Sequence, residues 1–216
     1  MKVFQFTAWC FISISLVISW LSHANSIKVS VVDDKKQPVE FAVIYIKETL
    51  PKVSDNSVVI DQVDKEFIPY VTVVQRGSAI NFPNNDEIRH QVYSFSKSKQ
   101  FELPLYSGNP ASPVVFDHNG VVAMACNIHD WMKAYVYVVD TNKFTLSNKS
   151  GQAVLTNLAK GQYEVVVWHP KAKESELLNA QKINISDGEH ELFFTVAQKT
   201  QFKAWRSPKS TKRRGY

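Results

Sequence analysis

The stretch GVVAMACNIHDWMKAYVYVVD, from Gly120 to Asp140, decides how the rest of the chain is read. Val121–Cys126 and Ala134–Val139 are short runs rich in β-branched and aromatic residues with no 3.6-residue apolar period, and they read as two strands joined by a loop. Asn119-Gly120 places a turn before the first strand, and Asp140 closes the second.

The same pattern recurs on both sides. Ile27–Val32, Val39–Ile46, Tyr70–Gln75, Ala79–Phe82, Gln91–Phe95, Gly151–Leu155, Tyr163–His169, Gln181–Ile185 and Leu192–Val196 all read as strands. Turn chemistry separates them: Asp33-Asp34-Lys35-Lys36, Lys149-Ser150-Gly151, Lys160-Gly161 and Asp187-Gly188. Between Phe95 and Val121 the reading is a long loop. Ala172–Gln181 (AKESELLNAQ) is a short helix or loop candidate. The expectation is an all-β protein of one or two sandwiches.

Composition agrees with a folded chain. Of 216 residues, 44% are hydrophobic, 12% aromatic and 21% charged, with only seven glycines, which excludes disorder and collagen. The net charge of +5 is modest and its basic residues are spread along the body apart from the tail, so no nucleic-acid partner is expected. Residues 1–24 form a secretory signal layout: Lys2, an uncharged apolar run from Val3 to Leu21, then Ser22-His23-Ala24 as a cleavage site. A single membrane anchor is the competing reading, diluted by Gln5, Ser13, Ser15 and Ser19. Cleavage removes Cys10 and leaves Cys126 alone, in a periplasmic or secreted protein. There a lone thiol is idle and buried, paired between chains, or bound to a metal.

Ligand types cluster around that cysteine. Cys126, His129 and Met132 follow a C-x2-H-x2-M spacing, and His90 lies 36 residues earlier beside strand-like sequence. One thiolate, two imidazoles and a thioether suit copper in a trigonal His2Cys site with a weak thioether. Zinc also takes Cys and His, but gains nothing from Met132, and Asp130 would have to fold back past His129 to serve it. The bland alternative is coincidence, with His90 an ordinary surface residue.

These residues carry a resemblance. The segment 58–140 is similar to the cupredoxins, plastocyanin- and amicyanin-like type 1 copper proteins: Asn84-Asn85 precede His90 by six and five residues, Gly120 precedes Cys126 by six, and the C-x2-H-x2-M loop matches that of amicyanin in length. The chain as a whole resembles bacterial secreted proteins labelled methylamine utilization protein. The resemblance implies a Greek-key cupredoxin sandwich with His90, Cys126, His129 and Met132 holding one copper ion that cycles between Cu(I) and Cu(II). It implies outer-sphere electron transfer through the edge of His129 to an unidentified redox partner protein, and no enzymatic turnover. Two positions depart from the plastocyanin pattern: Gln91 stands where Asn follows the first ligand histidine, and Ala125 where an aromatic residue precedes the cysteine. Trp131 reads either as part of a docking patch or as packing for the ligand loop. The alternative function is a non-redox copper-binding or carrier module with a protein- or glycan-recognising sandwich.

Downstream, Asn148 to Gly151 followed by Gly161 to Val167 (G-x-Y-x-V-x-V) resembles a small transthyretin or carboxypeptidase-regulatory β-sandwich, and Val29–Ile46 resembles the opening of that fold. Two arrangements follow: residues 27–48 with 141–199 as one sandwich interrupted by the cupredoxin segment, or 141–199 alone as a second consecutive sandwich. Trp168-His169-Pro170 and His118 have no accompanying ligands and read as structural. The tail, residues 200–216, holds six of the 24 basic residues left after cleavage and no acid. It reads as disordered or as a peripheral contact with acidic protein or anionic membrane.

Overall fold

A computed structural model describes residues 25–48, 57–110, 112–173 and 179–199. The expected signal segment and basic tail lie outside the described residues. Among those described there is no helix, and no helix is long and apolar enough to cross a membrane. In chain order the strands are β1 (Asn25–Val32), β2 (Val43–Ile46), β3 (Ser57–Val59), β4 (Asp61–Val63), β5 (Glu66–Ile68), β6 (Val71–Gln75), β7 (Ala79–Asn81), β8 (His90–Ser96) and β9 (Lys99–Tyr106). They continue as β10 (Val114–Val115), β11 (Gly120–Ala125), β12 (Lys133–Val139), β13 (Phe144–Leu146), β14 (Gln152–Leu158), β15 (Gly161–Trp168), β16 (Asn179–Ile185) and β17 (Glu189–Thr195).

Residues 57–140 build one sandwich. Its larger sheet runs β6-β12-β11-β8-β9, its smaller one β10-β7-β3, and β4 and β5 form a separate hairpin. Strand alternation decides what enters the core: along β8, His90, Val92 and Ser94 point inward while Gln91 and Tyr93 point out. On β11 and β12 the register sets Met124 opposite Ala134 and Ala123 opposite Tyr135. Val122, Met124, Cys126, Met132, Ala134 and Val136 therefore share one buried cluster with Ile80 and Phe82 from the facing layer.

A second sandwich takes strands from both ends of the chain. β1 pairs with β14 and, in parallel, with β17; β2 pairs with β13 and β15, and β16 extends that sheet. Ile27, Val29 and Val31 of β1 face Ile44, Ile46, Leu155, Val165 and Val167 in an aliphatic core. Two turns hold the register. The Asp33 carboxylate accepts the N–H groups of Lys35 and Gln37 at 2.8 Å each. Gly151 sits at φ 72°, where a Cβ would strike the Val31 carbonyl oxygen.

The two sandwiches meet through an outer sheet face. Val71, Tyr137 and Val139 from β6 and β12 pack against Val43 and Trp168 from β2 and β15. The Tyr137 and Trp168 rings are 5.0 Å apart, and the Tyr45 and Tyr137 hydroxyls are 3.3 Å apart. Burial pushes the Tyr70 hydroxyl, at the same seam, up to about 12.

Several expectations are corrected. The long loop after Phe95 contains β9, whose KQFELPLY sequence carries charge and Pro104 because it lies at a sheet edge, paired among the described strands with β8 alone. Strand Val39–Ile46 is shortened to β2, since Phe41 adopts φ 64° and the chain bends there. Of Ala172–Gln181, residues Asn179–Gln181 begin β16, and 174–178 lie outside the described residues. Strands β3, β4, β5, β10 and β13 are two or three residues long, too short to show a period.

Candidate metal centre

The loop after β11 builds most of the site. Cys126 follows the last residue of β11 and Met132 precedes the first of β12, so the ladder delivers both ends of the loop to one place. Two backbone bonds close it: Cys126 N–H donates to the Met132 carbonyl at 3.1 Å, and Met132 N–H to the His129 carbonyl at 2.9 Å. His90 arrives from the start of β8, which neighbours β11.

Three of the four expected ligand residues converge. One ligand atom each from His90, Cys126 and His129 lie within 4.8 Å of one another, with Cys126 Sγ 3.7 Å from His90 Nδ1. The His90 and His129 rings are 5.1 Å apart. His90 is 0% exposed and Cys126 3% exposed; His129 is half-buried beside exposed Ile128. Met132, 1% exposed, lies in the same buried cluster as Cys126.

Hydrogen bonding settles which nitrogen His90 presents. Its Nε2 lies 2.8 Å from Asp86 Oδ2, and an ionised carboxylate only accepts, so the ring proton sits on Nε2 and the Nδ1 lone pair faces the thiol. Burial pushes the Asp86 carboxyl up, but the bonds from His90 and from the Lys65 backbone N–H outweigh it and hold Asp86 below its ordinary value. His129 is pushed below its ordinary value by burial first, then by His90 and Lys65. Its Nδ1 is buried without a hydrogen-bond partner.

That unpartnered nitrogen is the test of fit. A buried imidazole nitrogen without a partner costs free energy unless something accepts its lone pair. The group offers two nitrogens and one sulfur, with a thioether nearby, which matches a soft three-coordinate metal.

Neighbouring residues take clear roles. Asn84 donates from Nδ2 to the carbonyls of Ile88 (2.9 Å) and Tyr106 (2.7 Å) and accepts the Asp86 N–H on Oδ1, which ties down the segment leading to His90. Gln91 points away and bonds Glu102 on β9, so the bonds around His90 come from Asp86. Trp131 packs against the core with its ring 5.1 Å from that of His129. His118 is exposed beside Asp117, and His169 is buried and belongs to no ligand group among the described residues. Asp86 went unnoticed in the sequence. Its signal is the D-x3-H spacing to His90, given that ligand histidines commonly donate their other N–H to a carboxylate.

No family model matches the chain, and no curated protein matches it. Among solved structures it is similar to a purple cupredoxin from Nitrosopumilus maritimus, with 20% identity over 38% of this chain and 98% of that one, at a TM-score of 0.34. A reduced Cu(I) amicyanin variant shows 20% identity over 44% of this chain and 97% of that one, at a TM-score of 0.35. A copper-containing nitrite reductase from Thermus scotoductus shows 20% identity over 52% of this chain and 28% of that one, at a TM-score of 0.38.

Proposed function

We propose that this chain is a type 1 copper protein of the cupredoxin kind that carries single electrons by outer-sphere transfer, working in the periplasm or outside the cell after loss of residues 1–24. The observation that carries the reading is the buried His90, Cys126, His129 group with the unpartnered Nδ1 of His129 inside it. A copper ion would be held by His90 and His129 through Nδ1, by the Cys126 thiolate and by the Met132 thioether as a weaker donor. A copper ion held there supplies one-electron chemistry between Cu(I) and Cu(II).

The protein's own part is to hold these donors still and dry. Asp86 fixes the His90 ring, the backbone bonds from Cys126 to Met132 and from Met132 to His129 fix the loop, and the surrounding apolar core excludes water. His129 alone of the group reaches the surface, beside Ile128, which is 50% exposed. An electron would leave or enter there, toward a protein redox partner with an apolar contact surface.

The test is to add Cu(II) to the purified chain. An intense visible band from thiolate-to-copper charge transfer is expected. A colourless, tightly held Cu(I) that does not cycle would favour a copper carrier instead, and a chain that retains zinc and refuses copper defeats both readings.

A further inference from the structure

Asp86 is held more firmly than a chance neighbour of a histidine. Its Oδ2 accepts two donors at once, His90 Nε2–H at 2.8 Å and the backbone N–H of Lys65 at 2.7 Å, while its own N–H donates to Asn84 Oδ1 at 3.1 Å. Lys65 belongs to the tip of the β4–β5 hairpin. Asp64 and Lys65 both adopt left-handed backbone, φ 52° and 61°, the conformation that closes a two-residue hairpin, and the Lys65 N–H is left free to reach Asp86.

The base of that hairpin is tied to the segment that precedes Asp86. Gln62 N–H donates to the Pro83 carbonyl at 3.1 Å, Asn85 N–H returns to the Gln62 carbonyl at 3.1 Å, and Asn85 Nδ2 reaches Asp61 Oδ2 at 2.7 Å. The hairpin and the Asn84–Asp86 turn are thus one clamp, with the carboxylate as its far end.

We propose that Asp86 is a positioning residue for the metal centre: its carboxylate, clamped by the β4–β5 hairpin tip, sets the balance between the two copper oxidation states through His90. This rests on the reading of the group as a copper centre. A carboxylate accepting the Nε2 proton makes the imidazole a stronger donor at Nδ1 and adds negative charge just beyond the ligand. Both effects favour the more highly charged ion, so Cu(II) is held more tightly relative to Cu(I) and the reduction potential is lowered.

The experiment compares the full chain with Asp86→Asn and Asp86→Glu, measuring Cu(II) and Cu(I) affinities by chelator competition and the midpoint potential by titration. Asp86→Asn keeps the shape and loses the charge. It is expected to weaken Cu(II) binding by about 10–100-fold, to change Cu(I) binding less and to raise the potential, while Asp86→Glu moves both back toward the parent. An unchanged Cu(II)-to-Cu(I) affinity ratio in folded Asp86→Asn overturns the proposal.

Should Asp86→Asn fail to fold, the Cu(I)-loaded parent answers by proton resonance. A slowly exchanging, downfield His90 Nε2–H is expected, and a freely exchanging one overturns the assignment. Competition does not depend on colour. A parent that binds copper without the thiolate band sinks the electron-transfer reading while the ratio still judges Asp86, whereas a parent that binds no copper sinks both.

Discussion

The two sandwiches solve the same packing problem with different materials. The one built from both ends of the chain has a core of Ile, Val, Ala and Leu with Phe194 as its one buried aromatic member among the described residues. The one spanning residues 57–140 mixes Phe67, Phe82, Phe116, Met124 and Met132 with Cys126, and buries His90, Gln62 and Asn84 beside them. An aliphatic core needs only volume and alternation to cohere. A core with polar groups must satisfy each of them, and here the exceptions include His129 Nδ1, which faces the His90 and Cys126 group, and Gln62 Oε1. One region is organised around shape and the other around donors.

The sharpest way to break that contrast is Cys126→Ser. It should abolish the thiolate band and lower copper affinity beyond the about 100-fold that losing an outer partner can cost, while leaving the urea unfolding of the aliphatic sandwich unchanged. A band that survived would remove the thiolate from the site. Next is the seam. Trp168→Ala takes out a side chain 4% exposed against Tyr137 and Tyr135, and should cost about 3–5 kcal/mol. Calorimetry should then show the sandwiches melting apart; one unaltered transition would show that they do not lean on this contact.

A third effect is set by pH. His169 is buried as the neutral imidazole, accepting the Lys171 N–H on Nδ1 at 3.2 Å. Burial, then the Lys171 charge, push it down to about 4, against an opposing backbone bond with Glu40. An unfolded chain takes up that proton near its ordinary value of 6.5, before the folded one does. Stability from this group is therefore complete above that value and falls as pH drops toward about 4, by roughly 3 kcal/mol. Denaturation midpoints between these pH values should show the slope, and His169→Asn should flatten it. The smallest change expected is Lys160→Ala, which removes an exposed ion pair to Asp187 and should shift stability by less than about 1 kcal/mol. A larger loss there would mean that the aliphatic sandwich depends on its surface charge.

Much of the fold was legible because period-2 alternation survives in long strands with one buried face. β1 and β11 are such strands, while β12 and β15, buried on both faces along much of their length, show instead as continuous runs of β-branched and aromatic residues, and the turns beside them carry Gly or Asp where the backbone demands it. β9 was not legible, since an edge strand tolerates Pro104 and charge that a central strand would reject. At the site, Cys126, His129 and Met132 stood out because a single loop sets their spacing, and His90 because of its ligand type. Asp86 did not, because a carboxylate among Asp, Glu and Arg residues looks like ordinary solvated charge until a partner is seen beside it.

The all-β character and the grouping of Cys126, His129 and Met132 in one loop were already set by the amino-acid order, for alternation and short-range spacing are properties of adjacent residues. Only the tertiary structure decided that His90, 36 residues away, lies 3.7 Å from the thiol, that Asp86 and a distant hairpin tip hold it, and that the first strands pair with the last. Those contacts join residues far apart along the chain. Local preference cannot encode such distances; sheet register and closure of the core select them.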